Sequence, residues 1–347
     1  MTALDKTITQ FKRAAQLCPW NPYYPEDIGG LYQYTGDLQD AILYTQRSLT
    51  LDPSNASLCL RMADLELEQG NEDTAIAYYI KASRIYPPYT WDTLSMLLLN
   101  GVALDKIRQT AEALPDGEWV LANELIKTPR VGLHAPGPSD TGGLLQDTGN
   151  ADQDIDIAAG ILKGLMLTDT ANLKQYVPLF LSIIPDKQDA LAQLSALPVS
   201  NTVMLFYRAD LQNQLGETAS ATTVLTSIIH TDNTYGDAYQ LLANIYASEN
   251  KIEDAIEVLK TGLYYLPSDG AFYAMLGGLY NQENDWYNAI ESYKMAVMFN
   301  PLYENGYVQI ALIYRAQGLD EQARDIIDKG LEALPDSITL KKLKIQN

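Results

Sequence analysis

His134 and His230 are the only histidines in this chain of 347 residues, and Cys18 and Cys59 are its only cysteines. A histidine metal site, a catalytic triad or a Cys-His pair needs such side chains brought together, and this stock is small and dispersed. No Gly-rich loop of phosphate-binding spacing and no Gly-x-Ser-x-Gly elbow occurs. Two thiols make neither a disulfide framework nor a Cys-based zinc site, which suits a reducing compartment. Carboxylates are abundant but scattered on exposed helical positions, where a solvated acidic face explains them better than an acid–base pair. No catalytic residue, metal or cofactor is therefore expected, and the chain is read as a non-enzyme. The chemistry it does offer is that of side-chain amides. Asp210, Asn213 and Gln214 form one group, Asp237, Gln240, Asn244 and Ser248 a second, Asn281 and Gln282 a third, and Asn305, Gln309 and Arg315 a fourth. Amides both donate and accept hydrogen bonds, so such a row suits extended peptide backbone or sugar hydroxyls rather than a carboxylate.

The elements that must carry these groups announce themselves by period. Ala41 and Ala75 near one end, and Ala221, Ala255, Ala289 and Ala323 near the other, are spaced thirty-four residues apart within each set. A second small-residue column reads Gly29, Ala63, Ala209, Ala243, Gly277 and Ala311. A third reads Gly36, Gly70, Gly216, Asn250, Asn284 and Gly318, the residue types that enter the left-handed conformation most cheaply and end a helix. Two small-residue columns flanking a helix stop describe two antiparallel helices in close contact, and the fixed period means that the pair stacks on copies of itself.

In the frames 22–55, 56–89, 202–235, 236–269, 270–303 and 304–337, a large first-helix residue appears at Tyr239, Tyr273 and Tyr307. A leucine-like residue appears at Ile28, Met62, Leu242, Leu276 and Ile310, an aromatic at Tyr32, Tyr246, Tyr280 and Tyr314, and a closing proline at Pro53, Pro87, Pro267, Pro301 and Pro335. Departures are Arg208 in the leucine column, Glu66 and Gln212 in the aromatic column, and Asn233 in the proline column. With these six copies, about three-fifths of the chain resembles the tetratricopeptide repeat (TPR) family. The resemblance implies an all-α solenoid of antiparallel helix pairs, a TPR superhelix, whose first helices line a concave groove. It implies a scaffold that binds a protein or peptide partner there, with the amide groups named above as the groove residues. Members of the family that hold acidic chaperone tails use a Lys and an Asn one turn apart on a first helix. The corresponding pairs here are Glu26/Gly30, Leu60/Asp64, Phe206/Asp210, Gln240/Asn244, Ala274/Gly278 and Val308/Leu312, of which only Asn244 fits, so that activity is disfavoured.

Charge narrows the partner further. Lys and Arg total 24 against 44 Asp and Glu, a formal net charge of −20, which repels a phosphate backbone. Nucleic acid is excluded on that ground, and Lys341, Lys342 and Lys344 are read as solubilising the last helix. The richest apolar run, Leu94 to Leu104, is broken by Asn100 and Gly101 and falls short of the ~20 residues a membrane span needs, so no direct membrane insertion is expected. A cytoplasmic location is expected. The alternative is the soluble TPR module of a membrane-associated bacterial polysaccharide or pilus assembly machine, because Leu17 to Tyr24, leading straight into a repeat, is similar to arrays appended to bacterial glycan polymerases. A membrane protein or a second copy of the chain are the corresponding alternative partners.

The two sets of frames do not share one register: from residue 56 to residue 202 is 146 residues, four periods plus ten. Residues 129–153 crowd Pro, Gly, Asp, Ser and Thr without periodicity and are expected to be a loop or linker. The organisation expected is thus an N-terminal array with degenerate helices over 1–128, this linker, and degenerate helices followed by the C-terminal array over 154–347. Irregular helices are expected at 91–100, 104–114, 118–127, 155–167, 173–184 and 190–197, with Pro178 kinking or shortening its own. Helix 3–17 is expected to be a second helix without a first. Of the 23 tyrosines, Tyr32, Tyr79, Tyr239, Tyr246, Tyr273, Tyr280, Tyr293, Tyr307 and Tyr314 fall on packing positions, whereas Tyr23, Tyr24, Tyr34, Tyr264, Tyr265 and Tyr303 lie near helix ends.

Overall fold

The computed structural model describes residues 3–127 and 150–345, and among them the regular structure is α-helical with one short 3-10 turn at Thr170–Asn172. The four frames of the C-terminal array each form one antiparallel pair: α12 (Thr202–Gln214) with α13 (Thr218–Thr231), α14 (Gly236–Ser248) with α15 (Ile252–Tyr265), α16 (Gly270–Gln282) with α17 (Trp286–Phe299), and α18 (Glu304–Ala316) with α19 (Asp320–Ala333). The two N-terminal frames form α2 (Tyr23–Thr35) with α3 (Leu38–Leu51) and α4 (Ala56–Glu68) with α5 (Glu72–Ile85). A lone helix, α1 (Ala3–Leu17), precedes them, and α20 (Ile338–Ile345) follows the last pair.

One turn chemistry repeats in all six pairs. Gly36, Gly70, Gly216 and Gly318 have φ between 73° and 83°, and Asn250 and Asn284 both have φ 58°. The left-handed residue lets the next amide donate back across the helix end: Asp285 N to the Tyr280 carbonyl at 2.9 Å and Lys251 N to that of Tyr246 at 2.8 Å. Five of the twelve helix starts in these pairs are capped by a side chain. Asp37, Asn55, Asn201, Asp269 and Asp285 each accept a hydrogen bond from an amide of the helix they precede.

Between the two helices of a pair the small columns are buried to the last atom. Ala41, Ala75, Ala221, Ala255, Ala289 and Ala323 are all 0% exposed. A Cβ on Gly277 would lie 2.7 Å from the Tyr293 ring, so that tyrosine lies flat against α16 only because no side chain is there. Successive pairs are joined by apolar clusters that reach one pair onward: Tyr239, Ala243 and Leu259 of one pair lie with Phe272 and Leu276 of the next, and Tyr293 lies with Tyr307 and Ile310. Helix α1 joins in the same way, as Ile8 and Ala15 cluster with Ile28 of α2.

The intervening helices are α6 (Tyr89–Leu99), α7 (Leu104–Glu112), α8 (Gly117–Lys127), α9 (Asn150–Thr168), α10 (Leu173–Ser182) and α11 (Lys187–Ala196). The chain divides into two compact units, one of α1–α9 with residues 178–183 and the other of residues 173–177 with 184–347. The break inside α10 falls at Pro178, which lacks the amide that would bond back one turn, and α10 ends four residues later. Helix α9 begins at Asn150, five residues before the expected start, because a first turn needs no apolar periodicity when its amides are unpaired in any case. It belongs to the first unit. The remainder of the expected linker, 129–149, lies outside the described residues, as does His134. Helix α11 starts at Lys187 rather than at residue 190, since the Asp186 carboxylate accepts from the Gln188 amide at 2.9 Å.

Candidate functional site

The amide groups all lie on first helices of the second unit. Asp210, Asn213 and Gln214 are on α12, Asp237, Gln240, Asn244 and Ser248 on α14, Asn281 and Gln282 in the last turn of α16, and Asn305, Gln309 and Arg315 on α18. They follow the polar side of each helix, because Ala238, Tyr239, Leu242, Ala243 and Ile245 take the buried side of α14 and the same stripe recurs in its neighbours. Gln214, Asp237, Asn244, Ser248, Gln282 and Asn305 are exposed, and Asp210, Asn213, Gln240, Asn281, Gln309 and Arg315 are half-buried.

Their engagements differ. The side chains of Asn213, Gln240, Asn244, Asn281 and Gln282 make no hydrogen bond among the described residues. Ser248 donates to the Ile245 carbonyl of its own helix. Gln309 donates to Asn305 at 3.2 Å, and Asn305 to the Tyr303 hydroxyl at 3.3 Å. Arg315 points elsewhere: it donates to the Leu343 carbonyl and holds the end of α20. The arginine in the leucine column does similar work, for Arg208 donates to the carbonyls of Leu194 and Leu197 where α11 ends. Both guanidinium groups of the first-helix row are thus spent on backbone carbonyls, and burial pulls Arg208 below its ordinary pKa.

At the α12–α14 end the structure assembles a cluster of carboxylates and phenols. Asp210 accepts from Gln214 at 2.9 Å, yet burial holds its carboxyl above the usual value. Burial first, then Asp237 and Asp210, push the Tyr207 hydroxyl up. Burial and then Asp237 do the same to Tyr235. Lys174, from α10, reaches Asp237 at 3.2 Å and lies 4.7 Å above the Tyr235 ring. No periodic signal could have placed this lysine here, since it stands outside every frame and 63 residues from its partner.

His230 is exposed near the end of α13, and burial pushes the Cys59 thiol up. Among the described residues no group of three His, Cys, Asp or Glu could hold a metal ion, and no helix is long and apolar enough to cross a membrane. Of the tyrosines near helix ends, Tyr34, Tyr264 and Tyr23 are largely exposed, whereas Tyr79 and Tyr239 are completely buried in their packing positions.

Two family models described as tetratricopeptide repeat match residues 27–90 and 213–279. BBSome complex member BBS4 of Bos taurus is 30% identical over 95 residues, which is 27% of this chain and 18% of that relative, so the chain spans under a fifth of its length. Among solved structures, MamA 41-end from Desulfovibrio magneticus RS-1 superposes with a TM-score of 0.39 at 17% identity, over 52% of this chain and 97% of the other. YrrB, a TPR protein with an unusual peptide-binding site, superposes with a TM-score of 0.36 at 14% identity, over 55% and 91%.

Proposed function

The chain is a tetratricopeptide-repeat protein, and from that premise we propose that it is a non-enzymatic scaffold whose first-helix face in the second unit holds an extended segment of a protein partner. One observation carries the reading: five amide side chains on three successive first helices, Asn213, Gln240, Asn244, Asn281 and Gln282, have no partner within the described residues. An amide engaged in neither fold nor cap is free to bond a ligand backbone through both its donor and its acceptor. With the two arginines of the row bound to carbonyls and Asp210 and Asp237 at one end, the face favours a neutral or cationic segment over an acidic tail.

The test is affinity purification of the full chain against its Gln240→Ala/Asn244→Ala variant, with mass spectrometry of what co-elutes. A protein retained by the parent and lost from the folded variant supports the proposal. Equal retention by both places the contact elsewhere. A second reading, the module of a membrane-associated assembly machine, draws on Trp20 and Tyr23, which are 73% and 67% exposed where the first pair begins. Amphipathic rings of this kind suit a membrane interface. Failure of the chain to float with neutral phosphatidylcholine vesicles, which do not repel a chain of net charge −20, would remove direct surface binding from that reading.

A further inference from the structure

The aromatic column has a companion twenty residues earlier, on the preceding second helix. Tyr32 is accompanied by Lys12, Tyr280 by Lys260 and Tyr314 by Lys294. The pairing is physical. Lys12 Nζ donates to the Tyr32 hydroxyl at 2.8 Å and lies 5.2 Å from its ring centre, and Lys260 Nζ lies 5.6 Å from that of Tyr280. Lys294 pairs with Glu291 at 2.9 Å and interacts with the Tyr314 hydroxyl. An ammonium over the face of the tyrosine twenty residues on is thus found at two of these joints, Lys12–Tyr32 and Lys260–Tyr280, and at the third the lysine interacts with the hydroxyl instead.

The fourth tyrosine departs from the pattern. Twenty residues before Tyr246 stands Thr226, whose short side chain turns back to donate to the Thr222 carbonyl at 2.8 Å. A cavity of about 350 Å3 lies between α13 and α15 in its place, floored by Tyr246, Ile229 and Val258 and bordered by Asp254 and Glu257. Neither carboxylate has a hydrogen bond or ion pair among the described residues. Lys251 does approach the Tyr246 ring, at 5.7 Å, but from the turn between α14 and α15, paired with Glu249 at 2.8 Å and outside the cavity lining.

We propose that this cleft receives a lysine side chain of a partner protein, which supplies from outside the ammonium that the chain itself supplies at the equivalent joints. Tyr246 offers its ring, Ile229 and Val258 line the path of the methylenes, and Glu257 and Asp254 neutralise the charge. The cleft is distinct from the first-helix amides and does not depend on them.

The probe is a fluorescently labelled pentalysine amide titrated onto the full chain at about 0.15 M salt, where attraction by distant charges is largely screened. Thr226→Lys should fill the cleft and melt no lower than the parent, because lysine already stands at this position in the two following repeats. It should weaken pentalysine binding about tenfold, the scale of a cation–π contact together with an exposed charge pair. Ser220→Lys, an exposed change on the same helix outside the cavity, adds the same charge and should weaken binding less than about twofold, as a distant screened charge does. Glu257→Gln should weaken it several-fold and provides a second reading of the site should Thr226→Lys fold poorly. Equal losses in Thr226→Lys and Ser220→Lys, which indicate general attraction to an acidic protein, would overturn the proposal. So would an unchanged Glu257→Gln, or no binding by the parent.

Discussion

The Tyr79 hydroxyl donates to Oδ1 of Asp64 at 2.5 Å, so the largest completely buried side chain of α5 holds a half-buried carboxyl group on α4. Removing the phenol oxygen leaves that acceptor desolvated without its donor. Tyr79→Phe should destabilise the chain by about 1–3 kcal/mol, the cost of an orphaned buried polar group. Denaturant unfolding of parent and variant checks this, and equal midpoints would mean that water replaces the bond.

The same pair gives a pH dependence. Burial outweighs the Tyr79 hydrogen bond and holds Asp64 above its ordinary value of 3.8, so the folded chain binds this proton more tightly than the unfolded chain does. The stability contributed is fully present below the ordinary value and is lost as pH rises through the folded value. Asp64→Asn, which keeps an acceptor for Tyr79 but cannot ionise, should therefore gain stability relative to the parent as pH climbs from 3.8 toward neutrality. Melting curves across that range that stay parallel would contradict the shift.

Asn284 tests the turn. At φ 58° a β-branched side chain collides with its own backbone, so Asn284→Val should cost at least ~1 kcal/mol, whereas Asn284→Gly should be neutral or slightly stabilising. Chemical unfolding of the two variants side by side should separate them in that order.

Ala255 and Ala289 test the close contact between helices. Each is completely buried, and Leu at either position must displace its neighbours, at a cost of about 1–3 kcal/mol. A melting temperature unchanged in both variants would contradict the interhelical contact assigned to this column.

How much of this was legible beforehand depended on whether a residue's neighbour lay one period away. The stop at Asn284 and the end of α16 at Gln282 follow from columns of like residues, because every copy must present the same surface to the next. The starts of α9 and α11 were displaced by several residues, since polar first turns carry no apolar signal and the Asp186 cap is read only once the turn exists. On the candidate face, the polar side of each helix could be deduced from the stripe opposite it. That Arg315 turns to Leu343, or that Lys174 comes to Asp237, could not, because both partners lie outside the repeating frames. The lysine–tyrosine joint was visible in principle at an offset of twenty residues, but nothing short of seeing Lys12 and Lys260 over their rings gives that offset a meaning.

The apolar clusters that tie each pair only to the next make the second unit a chain of links under tension. When it is pulled from its C-terminal end, the link closed by α20 and the Arg315–Leu343 bond is the first to take the load, and the Lys174–Asp237 contact lies too far back, at α14, to share it. Once that end is released, the pairs should peel one at a time. A thirty-four-residue copy paid out as extended chain adds about 110 Å, so stretching this unit should produce a staircase whose tread is one repeat.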